Sequence, residues 1–127
     1  MALPCALIVD DDPGILDVYE LALGELGFDP IAVSEAAGVV ELALRHRPKL
    51  ILLDQRMPGL TGVELVRRLR ASGLSPATPI VMVSAGRDLA CEAFEAGVSA
   101  CIEKPFDFRE LIELIERLTN VKTARTA

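Results

Sequence analysis

Four short apolar runs, at 6–9, 50–53, 80–83 and 100–102, are unbroken by polar positions. A strand with one wet face alternates, whereas an unbroken run suits a strand buried on both faces, so these runs predict the interior of a parallel sheet. Between them the period changes. Over 15–26, apolar residues fall at 15, 16, 19, 22, 23 and 26, and Gly27 stands where a left-handed residue would close a helix. Positions 28–33 read as a further strand interrupted by Asp29 and Pro30. Proline has no N–H for the ladder, which assigns this strand to a sheet edge.

Ser34 is placed to cap a second helix running to about Arg47. Thr61 with Glu64, and Asp107 with Glu110, have the spacing of capping boxes. The first opens a helix to about Arg70, and the second precedes Phe108, Leu111, Ile112, Ile115 and Leu118. Gly97 ends the helix between the last two apolar runs. Strand and helix thus alternate five times, which predicts an α/β fold: a doubly wound parallel sheet covered on both faces, with right-handed crossovers. One domain over 1–120 is expected, with 121–127 a frayed tail or a truncated linker.

Composition narrows the function classes. At 127 residues, 51% hydrophobic and 25% charged, the chain can bury a full core, which excludes disorder, collagen and a disulfide scaffold. A net charge of -6 argues against direct nucleic-acid binding, because Arg67, Arg68 and Arg70 form the densest basic group and splay around a helix. Cys5, Cys91 and Cys101 are odd in number and lack metal-ligand spacing, so they read as small reduced hydrophobes, and a cytoplasmic location is expected. No leader-like segment and no membrane-spanning run appears, so no membrane partner is expected.

In open parallel sheets ligands gather beyond the carboxyl ends of the strands. There the chain places Asp10, Asp11 and Asp12 after the first run, Asp54 after the third strand, Ser84 after the fourth, and Glu103 and Lys104 after the fifth. Two carboxylates about 4 Å apart repel by roughly 4 kcal/mol at an effective dielectric near 20, so such a cluster calls for a cation. Lys104 offsets one charge, and magnesium suits the remainder because it takes one or two carboxylates while keeping water and phosphate oxygens. An aspartate presented to a phosphoryl group in such a site can attack it in line and become an acyl phosphate. Asp54, protruding alone from the central run, is the best nucleophile; the adjacent Asp10 and Asp11 suit the metal.

These blocks resemble a known family. Leu7-Ile-Val-Asp-Asp-Asp12, Leu53-Asp-Gln-Arg-Met-Pro-Gly59 with Gly62 and Glu64, Val83-Ser-Ala85 and Lys104-Pro-Phe106 look like the four signature blocks of response-regulator receiver domains of two-component signalling. The likeness covers about residues 3–119, and its joint spacing is highly specific. It implies a flavodoxin-like fold with strand order 2-1-3-4-5, and Asp54 as phosphoacceptor. It implies Asp11 as a direct magnesium ligand, Asp10 mostly through water, and the backbone carbonyl of Arg56 as a third protein ligand. Ser84 matches the switch hydroxyl, Ala85 the small residue beside it, and Lys104 the ammonium partner, with a cis bond to Pro105.

Arg56 also lies where the family tunes phosphoryl lifetime. One position departs from the pattern: Cys101 stands where the family usually has Tyr or Phe, so the resemblance does not carry over the usual hydroxyl-to-aromatic coupling. The implied partners are a histidine kinase or phosphotransfer protein, and a homodimer or output protein at the helix 4, strand 5, helix 5 face. In the family the first helix meets the phosphodonor, so Leu16 and Leu23, like Leu114 on the last helix, are either core or docking residues.

Simpler roles stand beside these. Asp12 with Pro13 caps a helix, His46 complements a helix end, and Cys91 and Cys101 pack. Two alternatives to the receiver remain. A small haloacid-dehalogenase-type phosphatase would use Asp10 and Asp12, but Gly14 stands where Thr or Val is expected and the chain lacks length for a cap. A pseudo-receiver used only for dimerisation is encouraged by Cys101 and opposed by the complete acidic pocket. The first reading implies no catalysis on external substrates.

Overall fold

The unbroken apolar runs become strands because each supplies side chains to two cores at once. In the computed structural model, which describes residues 3–85 and 90–120, β1 (Cys5–Val9), β2 (Asp29–Val33), β3 (Leu50–Asp54), β4 (Ile80–Ser84) and β5 (Ala100–Glu103) form one sheet in the order β2-β1-β3-β4-β5. All neighbouring pairs are parallel. Leu7, Val9, Ile51, Leu53, Ile80 and Met82 face α2 (Val39–His46), α3 (Gly62–Ala71) and α4 (Ala90–Ala96). Ala6, Ile8, Leu50, Leu52, Val81 and Val83 face α1 (Pro13–Glu25) and α5 (Phe108–Thr119). Full burial of each large apolar side chain stabilises the fold by about 1.5–3 kcal/mol.

The helix ends follow from local sequence. Asp12 caps α1 by accepting from the Gly14 N–H, with Pro13 in the first turn. At its other end Phe28 N–H reaches the Leu23 carbonyl and Gly27 N–H the Gly24 carbonyl, the paired bonds of a Schellman turn, with Gly27 at φ 83°. Thr61 and Asp107 accept from the N–H groups of Glu64 and Glu110, opening α3 and α5. Leu16 and Leu23 are buried in the core of the α1 face and Leu114 packs against it, so the exposed apolar residues of α1 are Val18 and Leu21. His46 occupies the last turn of α2.

One helix start differs from the sequence reading. Ser34 caps nothing, and α2 opens at Val39, because Gly38 adopts φ 81°, a left-handed conformation that a helix cannot pass through. The intervening turn buries Ala36 against the core and is closed by Val39 N–H to the Ala36 carbonyl. The edge strand is as the proline requires: Pro30 lies opposite Ala6 in β2, at the sheet margin. Cys91 has a side chain outside the described residues. No helix among the described residues is long and apolar enough to cross a membrane.

Candidate functional site

The alternation that builds the two cores also sorts the polar residues at the carboxyl rim. Continuing the period of two, Asp10, Asp54 and Lys104 follow the residues that face α1 and α5, whereas Ser84 and Cys101 follow those that face α4. Asp54 closes β3 and is 6% exposed. Its Oδ1 accepts from Lys104 Nζ at 3.2 Å. Asp10 is fully buried; its Oδ1 accepts from the Asp12 N–H at 2.9 Å, and its Oδ2 lies 3.9 Å from Lys104 Nζ with no hydrogen-bond partner among the described residues. Asp11 is exposed, and one oxygen from each of Asp10, Asp11 and Asp54 fits within 4.8 Å of the others.

The electrostatics are unbalanced by design of the strand ends. Burial pushes the Asp10 carboxyl above its ordinary range; the Asp12 N–H and Lys104 pull it down, and Asp54 and Asp11 push it up. Among the described residues one ammonium, that of Lys104, lies against two of the three carboxylates, Asp54 and Asp10. A buried carboxylate oxygen without a donor, beside an exposed carboxylate, is a donor set for a hard divalent cation, and these residues fit magnesium on that ground. An open cleft of about 430 Å³, lined by Asp11, Gln55, Arg56, Met57, Pro58 and Thr61, borders the cluster.

Two hydrogen bonds from backbone N–H groups to Gln55 fix the loop after β3. Gly62 N–H donates to the Gln55 carbonyl, and Val63 N–H to the Gln55 side-chain Oε1, both at 2.9 Å. A Cβ on Gly62 would lie 2.8 Å from the Asp54 carbonyl oxygen and from Gln55 Cα, so only glycine allows this approach. The N-terminus of α3 is thereby clamped to the residue next to Asp54. Arg56 is exposed in this loop. Ser84 is buried at the end of β4, where its carbonyl accepts from Lys104 N–H at 2.7 Å, and Ala85 is exposed just beyond. The Lys104–Pro105 peptide bond is cis. Cys101 lies opposite Met82 and packs, half-buried, against the core of the α4 face.

Asp12, on which the phosphatase alternative depends, is exposed and occupied in capping α1. Two residues near the strand ends make contacts that the sequence reading does not anticipate. Gln55 lies inside a signature block, but its clamp depends on a contact eight residues away. Tyr19 reads as one apolar position of the α1 stripe, yet it is fully buried with its ring stacked on Phe106.

The family model described as response regulator receiver domain matches residues 6–116. The chain belongs to this family. Among curated relatives of the receiver domain, the phosphate regulon transcriptional regulatory protein PhoB of Pseudomonas aeruginosa is 35% identical over 84% of this chain and 47% of its own length. The DNA-binding transcriptional regulator NtrC of Escherichia coli is 34% identical over 87% of this chain and 24% of its own length. The chain thus spans about half or less of the length of the curated relatives it matches. Among solved structures, the receiver domain of the sensor histidine kinase PA1611 from Pseudomonas aeruginosa, with a magnesium ion coordinated in its active site cleft, superposes with a TM-score of 0.83 at 30% identity, covering 94% of this chain and 99% of that one. The CheY-like receiver protein of Methanospirillum hungatei has a TM-score of 0.85 at 29% identity, covering 94% and 95%. The flavodoxin-like order 2-1-3-4-5 is therefore both the observed topology and that of the family.

Proposed function

We propose that this receiver domain takes a phosphoryl group onto Asp54 from a histidine kinase or phosphotransfer protein and presents an altered surface to an output partner. The observation that carries this reading is the ammonium of Lys104, 3.2 Å from Asp54 Oδ1, beside a cluster in which one oxygen from each of Asp10, Asp11 and Asp54 gathers within 4.8 Å. A carboxylate oxygen of Asp54 attacks phosphorus, the bond from phosphorus to the donor imidazole nitrogen breaks, and the aspartate becomes a mixed anhydride. Lys104 neutralises one phosphoryl oxygen, and the rigid end of β3, pinned through Gln55 and Gly62, holds the nucleophile in line. Magnesium, held by Asp10, Asp11, Asp54 and the Arg56 carbonyl, would supply further charge neutralisation at the phosphoryl oxygens.

The Ser84 hydroxyl then turns toward the new phosphoryl group, with small Ala85 leaving access and the Arg56 side chain screening water. Since Cys101 has no ring to swing, the signal passes from Ser84 to α4 through packing against Met82 and its neighbours. The output face is formed by α4, β5 and α5, where Phe94 is 52% exposed, and it serves a second copy or an output protein. No nucleic acid is bound directly by residues 1–120, no external substrate is turned over, and the domain works in the cytoplasm.

Incubation with magnesium and acetyl phosphate, read by intact mass and peptide mapping, is expected to add one phosphoryl group at Asp54 and none to Asp54→Asn. Label at another residue, or steady turnover of phosphomonoesters that disappears with Asp10→Asn, would overturn the reading and restore the phosphatase.

A further inference from the structure

Away from the acidic rim, the base of the sheet carries the opposite charge. Arg45, His46, Arg47 and Lys49 fall within five residues of a chain whose net charge is -6, and all four are exposed. Arg47 and Lys49 line a cleft of about 320 Å³ between the turn that follows α2 and the loop that joins α3 to β4. From that loop Ser75 and Thr78 line it too, and Pro48 and Leu74, both buried, add apolar surface. Among the described residues no carboxylate lines the cleft, and neither Arg47 nor Lys49 makes an ion pair.

The backbone of both walls is already held. Arg47 N–H donates to the Ala43 carbonyl at 2.9 Å, and Lys49 N–H to the Cys5 carbonyl at 2.8 Å. In the facing loop the Ser75 carbonyl accepts from Thr78 N–H at 3.0 Å and from an Arg70 guanidinium nitrogen at 3.3 Å, while Ser75 Oγ accepts from Ala77 N–H at 3.2 Å. With its oxygen so engaged, the Ser75 hydroxyl keeps its proton to donate. Arg47 holds a left-handed conformation, φ 48°, that glycine would take without steric cost, yet the position carries a cation. A cleft lined by two cations and a hydroxyl donor favours an anion, and a guanidinium fork matches a carboxylate. The apolar lining favours a carbon stem behind that group, and the volume is that of a small ligand site.

We propose that this cleft binds the carboxylate of an organic acid, with Arg47 and Lys49 as charge partners, Ser75 as a donor, and Pro48 and Leu74 against the carbon stem. The site lies at the start of β3, whereas Asp54 ends that strand, so the inference does not rest on the phosphoacceptor reading. Glutarate, a capped hexaglutamate peptide and inorganic phosphate, each titrated into the isotope-labelled full chain and followed by amide chemical shifts, test it. Glutarate or the peptide is expected to move the signals of Lys49, Ser75, Ala77 and Thr78 saturably. Phosphate, which has no stem, is expected to bind roughly four-fold or more weakly, the worth of one buried methylene. Tighter binding of the peptide makes the natural source an acidic segment of a partner protein, and tighter binding of glutarate makes it a free acid. Arg47→Gly, which suits the backbone, is expected to stay folded and to bind the tighter carboxylate roughly ten-fold more weakly, the range of one charge-assisted hydrogen bond. Lys49→Gln is expected to weaken it in the same direction, and decides the matter if Arg47→Gly does not fold. Asp54→Asn is expected to bind as the parent chain does. Shifts that do not saturate, phosphate binding as well as the carboxylates, unchanged affinity in the cation variants, or loss of binding in Asp54→Asn would each overturn the proposal.

Discussion

The carboxylate of Asp10 has one good hydrogen bond, from the Asp12 N–H, and is otherwise deprived of water. Its raised pKa fixes the sign of a pH effect. Between the ordinary aspartate range and the raised native value, the unfolded chain has lost its proton while the native chain still holds one, so stability falls as pH rises through that interval. Below the interval both states are protonated and the penalty is gone; above it the penalty is complete. Asp10→Asn is therefore expected to stabilise the metal-free protein at neutral pH by about 1 kcal/mol, a rise of several degrees in Tm, and to gain nothing in acid. Melting curves across pH check both parts; a Tm lowered at neutral pH would show that Asp10 is better satisfied than its contacts indicate. Cys101 shows the same physics in a thiol, since burial raises it and disfavours the reactive thiolate. At this scale the sequence displays Asp10, Asp54 and Lys104 because strand ends advertise their polar residues. It hides the clamp made by Gln55 and the full burial of Tyr19, which arise from contacts that neither spacing nor residue type announces.

Elements were legible where one local rule governed them. Apolar runs marked β1, β3 and β4, glycine marked the ends of α1 and α4, and Thr61 and Asp107 marked the starts of α3 and α5. The start of α2 was obscured because Ser34 is a good capping residue, but Gly38 in a left-handed conformation and the burial of Ala36 decide the boundary together. The loop after β3 carries the sharpest steric constraint. Gly62→Ala would set a methyl 2.8 Å from two backbone atoms beside Asp54. It is expected to lower stability by about 1–3 kcal/mol, and to slow acetyl phosphate labelling of Asp54 even in molecules that remain folded. Denaturant melts and labelling rates test this, and a fully stable, fully reactive variant would mean that the loop yields without disturbing the nucleophile.

In the molecule as a whole, one topology delivers five strand ends to a single rim, so residues up to 94 positions apart, Asp10 and Lys104, meet within 3.9 Å. The sequence could predict this because parallel sheets buried on both faces place their ligands at that rim. A cation that binds the native rim and not the unfolded chain stabilises the fold by mass action, by about 2.7 kcal/mol at a hundred times its Kd. Saturating magnesium is therefore expected to raise Tm, and a chelator to reverse the rise; a Tm indifferent to magnesium would count against the cation site.

The far end of α4 has a mechanical consequence. Gly97 ends the helix, and its carbonyl accepts from Arg70 Nε at 2.9 Å, while a second guanidinium nitrogen holds the Ser75 carbonyl. Ser99 N–H is tied to Ile80 by a 2.7 Å bond at the foot of β4. The tail of α4 is thus tied to α3 through Arg70 and, through the turn that follows, to β4. If Ser84 turns toward a phosphoryl group on Asp54 as proposed, the resulting displacement of α4 is expected to pivot about Gly97, with the larger travel at the opposite end of the helix.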